Sequence, residues 1–219
     1  MNKIKKQPWP TKDAMQQVYE MQLWGNNQTP FYSGEGSHKL EIINPYIKTI
    51  ASFLNDFKEP ISVLDLGCGD FNIGKHFVEL TKKYIAVDIV ENLIDYNKKT
   101  FNKENLEFFC LDIAKDNLPK ADCVIIRQVL QHLSNKEVIN IVEKLYQYKY
   151  IILTDHLPNG AFTPNLDIIS GQGIRIKKHS GILLLEAPFN LKVKEELLLH
   201  SYELGNNKGV IKTILYQMF

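Results

Sequence analysis

Five short apolar runs alternate with amphipathic stretches along the middle of the chain, and this pattern predicts the core of the fold. Polar or turn-forming residues bound each run, as is typical of buried strands. The runs are residues 61–66, 84–88, 106–111, 121–126 and 150–154. Residues 73–83, 91–101 and 135–149 are predicted helices between them. Strands that alternate with helices indicate right-handed crossovers and a parallel sheet with helices on both faces.

Helical and strand-like segments flank this core on both sides. Residues 11–24 and 44–57 mix apolar and polar positions at helical spacing, and the loop 25–39 joins them. Near the C-terminus, residues 193–204 and 209–219 are predicted strands on either side of GNNKG, a sequence that suits an antiparallel hairpin. The pattern therefore predicts an α/β fold whose doubly wound parallel sheet ends in an antiparallel pair.

Length and composition narrow the possible classes of protein. The 219 residues fit one α/β domain with a buried core. Lys and Arg (26) nearly balance Asp and Glu (25), so the net charge does not indicate a polyanionic partner such as DNA. The three cysteines, Cys68, Cys110 and Cys123, lack CxxC spacing. The absence of this spacing argues against a zinc site, and we predict no metal site. The odd number of scattered cysteines argues against a disulfide framework and favours a reducing compartment.

The N-terminal residues bear on localisation. They are basic, but the apolar stretch of a signal peptide does not follow them, and no run reaches the length of a membrane span. We expect a cytoplasmic, soluble protein without a membrane partner. The sequence does not predict an oligomeric state.

The stretch SVLDLGCGDFNIG, residues 62–74, is predicted to form the first turn from a strand to a helix. In an open α/β sheet, ligands bind at the carboxyl ends of the strands, where the strand order reverses. Gly67 and Gly69 allow the backbone to approach a ligand closely. Asp65 places a carboxylate at the end of the same strand.

Two more acids follow the next two strands, Asp88 after the second and Asp112 after the third. An acid about twenty residues beyond a glycine-rich turn is typical of a group that binds ribose hydroxyls. The dinucleotide pattern G-x-G-x-x-G is incomplete, because Asn72 stands where its third glycine belongs. Asp65 and Asp70 flank the turn with negative charge, which favours a cationic ligand over a diphosphate. The sequence therefore predicts a cationic nucleoside ligand.

Four motifs in order, VLDLGCGDFNIG, IAVDI, LDI and ADCVIIRQVLQHL, resemble those of class I S-adenosylmethionine-dependent methyltransferases. The resemblance runs from about residue 40 to the C-terminus. It implies a seven-stranded Rossmann-like methyltransferase sheet with a C-terminal antiparallel hairpin, and S-adenosylmethionine as cofactor. We divide this single methyltransferase domain, residues 1–219, into N-terminal helices and lid (1–58), cofactor-binding core (59–156), substrate-recognition insert (157–190) and closing hairpin (191–219).

The resemblance also implies which residues bind the cofactor. They are Asp65, Gly67, Cys68, Gly69, Asp88, Ile89, Asp112, Ile113 and Arg127. Asp65 and the two glycines would line the methionine moiety, and Asp88 would hold the ribose. Asp112 would accept from the adenine amino group, and the two isoleucines would flank the ring. Arg127 would pair with the methionine carboxylate.

Methyl transfer from a cationic sulfur is an in-line displacement, so alignment and exclusion of water provide much of the catalysis. A hydroxyl acceptor would also benefit from a general base. Three histidines are candidates. His156 follows the fifth strand, with Asp155 beside it to orient the ring; His132 lies near the helix after the fourth strand; and His38 lies in the loop 25–39.

Two segments are predicted to contact the acceptor. The loop 25–39, called the lid loop below, mixes aromatic, small and hydrogen-bonding residues and suits a closing flap, with Tyr32 and Ser37 as contacts. The insert 157–190 contains two strand-like runs around KKHSG. Its predicted polar contacts are Asn165, Asp167 and Arg175. Arg175 is suited to an anion such as phosphate, and a solvated basic hairpin is the alternative.

The GEGSH loop and the NLD…G.G.R insert are similar to those of small bacterial methyltransferases of surface-polysaccharide modification. This narrower resemblance implies O-methylation of a sugar, sugar phosphate or nucleotide-linked precursor. The expected partner is therefore a small-molecule substrate, which can be phosphorylated.

Three alternatives stay open at this stage. A nucleic-acid methyltransferase is disfavoured, because RQVL stands where an amino-methylating enzyme has N/D-P-P-Y/F/W. A nicotinamide-dependent oxidoreductase would show the complete glycine pattern. A non-catalytic module would bind the adenosyl ligand without turnover.

Overall fold

The computed structural model describes residues 8–219, so the first seven residues of the predicted N-terminal segment lie outside the described residues. The strands are β1 (Ser62–Leu66), β2 (Lys83–Asp88), β3 (Leu106–Cys110), β4 (Cys123–Arg127), β5 (Tyr150–Leu157), β6 (Glu195–Glu203) and β7 (Val210–Gln217). The α-helices are α1 (Thr11–Glu20), α2 (Leu40–Asn55), α3 (Glu91–Thr100) and α4 (Asn135–Leu145).

All seven strands form one sheet in the order β3-β2-β1-β4-β5-β7-β6. The first five strands pair in parallel, whereas β7 pairs antiparallel with both β5 and β6. This confirms the predicted fold class, a doubly wound sheet that ends in an antiparallel hairpin. Because β1 lies between β2 and β4, the strand order reverses at β1, and a crevice is expected at its carboxyl end.

The sheet separates two layers of apolar side chains, because successive residues of a strand point to opposite faces. Leu64 and Leu66 of β1 pack in one layer with α4, and Val63 packs in the other with α2. Helix α4 begins with a capping box between Ser134 and Glu137, which satisfies free N–H groups of its first turn. Helices therefore cover both faces of the sheet.

The predicted helix over residues 73–83 is wrong. Two short 3₁₀ turns, Gly74–His76 and Val78–Leu80, occupy most of that stretch. Phe71 adopts a left-handed conformation (φ 59°) and inserts its ring among Tyr84, Phe101 and Phe108. Strand β2 begins at Lys83, which is the last residue of the predicted helix.

The strand-like runs predicted within the insert are also wrong, since residues 158–194 contain no strand. The Asn165 side chain replaces a strand neighbour: its Oδ1 accepts from Leu183 N at 2.9 Å and its Nδ2 donates to Leu183 O at 2.9 Å. Ile182 and Leu184 are consequently buried beside α4 without a partner strand. Within residues 8–219, no helix has the length and apolar character that a membrane crossing requires.

Candidate active site

A cavity of about 590 Å³ opens at the carboxyl ends of the parallel strands, where the strand order reverses. Its walls come from the glycine turn after β1, the loops after β2, β3 and β4, helix α1, the lid loop and the β6–β7 hairpin. This size is within the range of small-molecule and cofactor sites. The cavity therefore lies at the edge of the sheet that the sequence predicts.

The glycine turn forms the floor of this cavity. Gly67 and Gly69 have positive φ angles, 78° and 55°, which a residue with a side chain adopts at a cost. A Cβ atom at Gly67 would collide with Val129, and one at Gly69 would collide with the Ser33 hydroxyl of the lid loop. Both positions thus require glycine for conformation and for space. Cys68, between them, also lines the cavity, and burial raises the pKa of its thiol.

The Asp88 carboxylate lies at the end of β2 and lines the same cavity. Its Oδ2 accepts from Gly69 N and its Oδ1 from Val90 N, both at 3.1 Å, so the side chain joins the glycine turn to the start of α3. Burial raises the pKa of Asp88, although these N–H groups oppose the shift. Each oxygen keeps a lone pair for a hydroxyl donor. Ile89, the next residue, also faces the cavity.

Asp112 and Ile113 line the cavity from the loop after β3. Asp112 accepts from Ala114 N at 3.0 Å and pairs with Lys115 Nζ at 2.7 Å, so its orientation is fixed within its own loop. The cavity therefore brings together acids from the ends of two neighbouring strands.

Asp65 is placed differently from the other acids. It does not line the large cavity but a neighbouring one of about 30 Å³, which Arg127 and Cys68 also line. Asp65 accepts a hydrogen bond from Tyr84 Oη at 2.9 Å. Burial raises the pKa of Asp65 to about 7, partly opposed by Tyr84 and Arg127. Its predicted role beside the methionine moiety stays a prediction.

Arg127, the last residue of β4, lines both cavities and binds the lid loop. It donates from Nη1 to Ser37 Oγ at 3.1 Å and from Nη2 to Gly36 O at 2.6 Å. The guanidinium also lies over the Tyr46 ring, 4.8 Å from its centre. The side chain predicted to pair with a cofactor carboxylate thus also anchors the lid.

Further hydrogen bonds fasten the lid loop to the glycine turn. Asp70 Oδ2 accepts from Ser33 N at 2.8 Å and contacts His38 Nε2 at 2.6 Å. In return, Asp70 N donates to Ser33 Oγ at 2.9 Å, and that hydroxyl contacts Tyr19 Oη of α1 at 3.1 Å. The lid loop and α1 therefore cover the glycine turn together.

His132 lines the cavity and is almost fully buried. Its Nδ1 lies 3.1 Å from the Gly171 carbonyl, which can only accept, so Nδ1 carries the proton in the neutral ring. His132 Nε2 lies 3.3 Å from Gln131 Nε2. The Trp24 ring packs on the imidazole, with 5.2 Å between the ring centres. Burial lowers the pKa of His132 to about 4, which keeps the imidazole neutral near pH 7.

His156 also lines the cavity, whereas His38 is not among the lining residues. His156 Nε2 lies 2.6 Å from the Lys208 carbonyl, and burial lowers its pKa. Asp155 does not orient this ring as predicted, because neighbouring strand residues point to opposite faces.

The two lid residues predicted to contact substrate are placed differently. Ser37 lines the cavity beside Arg127. Tyr32 does not line it; its ring packs on His38 within the lid loop, with 4.5 Å between the ring centres.

The polar residues of the insert bind the protein itself. Arg175 is buried and donates to the carbonyls of Leu166, Leu130 and Leu133 at 3.0, 3.0 and 2.7 Å. It also donates to Asn135 Oδ1 at 2.7 Å. The guanidinium is thus saturated away from the cavity, and neither the predicted substrate contact nor the solvated basic hairpin describes it.

Asp167 accepts from Asn135 N at 2.7 Å, at the start of α4, and Asn165 binds the insert backbone as described above. The Asp167 side chain therefore holds the insert against α4, the Asn165 side chain holds the insert together, and neither residue lines the cavity.

Several residues that line the cavity were not predicted from the sequence. They are Met15, Tyr19, Trp24, Gln131, Gln172, Tyr202 and Lys208. Most lie on α1, the insert or the hairpin, far in sequence from the glycine turn. The apolar face of α1 was visible in the sequence, but nothing there indicated that it covers a ligand site.

Replacement of Asp70 by alanine is expected to loosen the lid loop, because it removes the acceptor for Ser33 N and His38. The amides of residues 33–38 should exchange with deuterium about tenfold faster or more, as expected for the loss of one or two hydrogen bonds. Hydrogen exchange with mass spectrometry measures this. Asp56→Ala, an exposed position at the end of α2, is the control. Equal exchange in Asp70→Ala and the wild type would show that these bonds do not hold the lid.

The central part of the chain is similar in sequence to known methyltransferases. Residues 63–148 match the model of a family described as "Methyltransferase domain". A malonyl-[acyl-carrier protein] O-methyltransferase from Acetivibrio thermocellus is 34% identical over 95 residues, which cover 42% of this chain and 33% of that protein. The match thus spans about one third of the length of this curated relative.

Solved structures share the fold over more of the chain. The N-methyltransferase NodS from Bradyrhizobium japonicum, in complex with S-adenosylhomocysteine, superposes with a TM-score of 0.63 at 12% identity, covering 94% of this chain and 99% of that one. Human N-acetylserotonin methyltransferase in complex with SAM has a TM-score of 0.56 at 21% identity, covering 83% and 54%. At these identities the likeness concerns the fold. The family match adds that residues 63–148 are similar to a methyltransferase domain.

Proposed function

We propose that this chain is an S-adenosylmethionine-dependent methyltransferase that acts on a small-molecule acceptor. One observation carries the proposal: a single cavity joins the glycine turn and strand-end acids to a space walled by the lid loop and the β6–β7 hairpin. The strand ends are suited to an adenosyl group, and the remaining space is suited to an acceptor. The lid loop and α1 cover the site, which favours a small acceptor over a nucleic-acid duplex.

The cofactor-binding half is assigned as follows. Asp88 would accept from the ribose hydroxyls, because its buried carboxylate faces the cavity. Asp112 with Ile89 and Ile113 would hold the adenine, and the glycine turn would line the methionine moiety. When bound, the cofactor supplies a methyl group on a positively charged sulfur. The chain's own contribution is to align the acceptor and to exclude water beneath the lid.

The acceptor atom we propose is an oxygen of a sugar, sugar phosphate or nucleotide-linked precursor of a bacterial surface polysaccharide. The resemblance of the lid loop and insert supports this class. Lys39 and Lys208 also line the cavity and could contact a phosphorylated acceptor, although Lys39 pairs with Glu35 at 2.8 Å. His132 is the buried, neutral imidazole of this cavity and a candidate for receiving the hydroxyl proton.

A second candidate is methylation of a carboxylate on an acyl group. The name of the Acetivibrio relative, a malonyl-[acyl-carrier protein] O-methyltransferase, favours it. A carboxylate is already ionised near pH 7, so this reaction would need no general base.

Two measurements test the proposal. Calorimetry should detect binding of S-adenosylhomocysteine and no binding of NAD; the reverse result would indicate an oxidoreductase. Release of S-adenosylhomocysteine should then be measured with sugars, sugar phosphates, nucleotide sugars, malonyl-coenzyme A and mixed RNA. Turnover of the RNA alone would contradict a small acceptor. Binding of the cofactor product without turnover of any acceptor would indicate a non-catalytic module.

A further inference from the structure

The tip of the β6–β7 hairpin forms one wall of the cavity. The residues of the hairpin that line it are Tyr202, Leu204, Gly205, Asn206, Lys208 and Ile211. The tip is a tight turn in which Asn206 and Asn207 have positive φ angles, 60° and 55°. Leu204 N donates to Gly209 O at 2.9 Å to close it. This wall lies outside the motifs that are predicted to bind the cofactor, so it is available to an acceptor.

His156 holds this hairpin tip from the end of β5. Its Nε2 lies 2.6 Å from the Lys208 carbonyl oxygen, and a carbonyl only accepts, so Nε2 carries the proton. Gly209 makes the contact possible: a Cβ atom there would lie 2.7 Å from His156 Nε2. The glycine also has a φ of 101°, a conformation that other residues rarely adopt.

The backbone of His156 is fixed as firmly as its ring. Its N–H donates to Gln131 Oε1 at 3.2 Å, and its register places it opposite Ile211 of β7. Both Gln131 and Ile211 line the cavity. The backbone of His156 is therefore held between Gln131 and β7, and the hydrogen bond to Lys208 is the contribution of the ring to the hairpin.

We propose that His156 is a positioning residue that holds the 205–208 tip as the acceptor-binding wall, in place of the predicted role as general base. The inference rests on the proposed function, because it assumes that the wall faces an acceptor. Because His156 Nε2 donates its proton to the Lys208 carbonyl, Nδ1 is the nitrogen of the neutral ring that keeps a free lone pair, and the kinetics below distinguish proton transfer to Nδ1 from positioning. Because the Lys208 carbonyl accepts the hydrogen bond from His156, this bond also positions the side chain of Lys208.

The test compares His156→Ala with His156→Gln, which keeps an N–H donor at the end of the side chain. His179→Gln is the matched control, since His179 Nε2 also contacts a backbone carbonyl, that of Ala161 at 3.0 Å, and the residue does not line the cavity. In His156→Ala, deuterium exchange of the amides of residues 204–209 should rise by about tenfold, as expected for one lost hydrogen bond. In His156→Gln it should rise less, and in His179→Gln it should not change at this tip.

Kinetics with the acceptor identified by turnover separate positioning from base catalysis. His156→Ala should raise KM for the acceptor by about tenfold and change kcat by less than about threefold, because a wall and not a reacting group is lost. The pH dependence of kcat should be unchanged, and His156→Gln should recover most of the KM. Unchanged exchange at the tip would overturn the proposal. It would also be overturned if kcat fell equally in both variants, with loss of the acidic limb of the pH profile.

Failure of this inference differs from failure of the proposed function. If the wild type does not bind S-adenosylhomocysteine, the methyltransferase proposal fails, whatever the hairpin does. If it binds and turns over an acceptor while His156→Ala leaves both KM and the exchange unchanged, only the positioning role fails.

Discussion

Replacement of Asp88 by alanine is expected to weaken S-adenosylhomocysteine binding by about 30- to 150-fold, or about 2 to 3 kcal/mol. The reason is that a buried carboxylate facing the cavity would accept from two ribose hydroxyls, and hydrogen bonds to a charged acceptor are the stronger kind. Isothermal calorimetry at pH 7.5 measures the dissociation constants of the wild type and the variant.

The Asp88→Ala experiment needs a control for stability, because Asp88 also binds the protein backbone. Asp88 accepts from Gly69 N and Val90 N, so alanine loosens the glycine turn as well as removing the ribose contact. Urea unfolding of the free protein reports that stability cost separately. Asp95→Ala, an exposed acid on α3, is the matched control and should bind normally. A change smaller than tenfold for Asp88→Ala would count against the ribose role.

The parallel strands could be predicted because each is a local apolar run between polar residues, and burial on both faces makes such runs continuous. Strand β5 extends three residues beyond the predicted 150–154 because β7 pairs with it as far as Leu157. That extension depends on a partner strand about sixty residues away. The helix predicted over 73–83 failed for a related reason, since the aromatic cluster around Phe71 is formed by residues distant in sequence.

The positions of the strand-end acids could be predicted because they follow from the ends of strands, which are local features. Their orientations could not. Asp65 is one residue from the end of its strand, and alternation places it beside Tyr84 in the small cavity. The same alternation separates Asp155 from His156. A strand boundary that is uncertain by one residue therefore leaves the direction of a side chain undetermined.

The role of the insert could not be predicted because its polar residues have no sequence-local partners. Arg175 binds carbonyls at Leu130 and Leu133, more than forty positions earlier. In the sequence, Arg175 lies near Lys177 and Lys178, and these three cations suggested an anion contact or a solvated basic hairpin. Burial of a guanidinium with four acceptors is a property of the folded chain alone.

Replacement of Asp155 by asparagine is expected to raise the free energy of unfolding by about 4 kcal/mol at pH 8 and by little near pH 4. Asp155 is buried, and neither carboxylate oxygen has a hydrogen-bond partner among the described residues. Burial raises its pKa to about 7, partly opposed by Arg175 and by the nearby backbone N–H groups of His156 and Gln131. An aspartate in the unfolded chain has a pKa of about 3.9. Between these values the folded state binds more protons than the unfolded one, so stability falls as the pH rises through this window.

Asparagine cannot ionise, so urea unfolding of the variant should depend less on pH than that of the wild type. Asp65, whose pKa is also raised to about 7, is present in both proteins, so the difference between them isolates position 155. Arg175 keeps four acceptors in the variant and loses only the longer-range attraction of the carboxylate. If the variant were less stable than the wild type at pH 8, that attraction would exceed the cost of burial. Asp155 would then be charged in the folded protein and would stabilise the insert through Arg175.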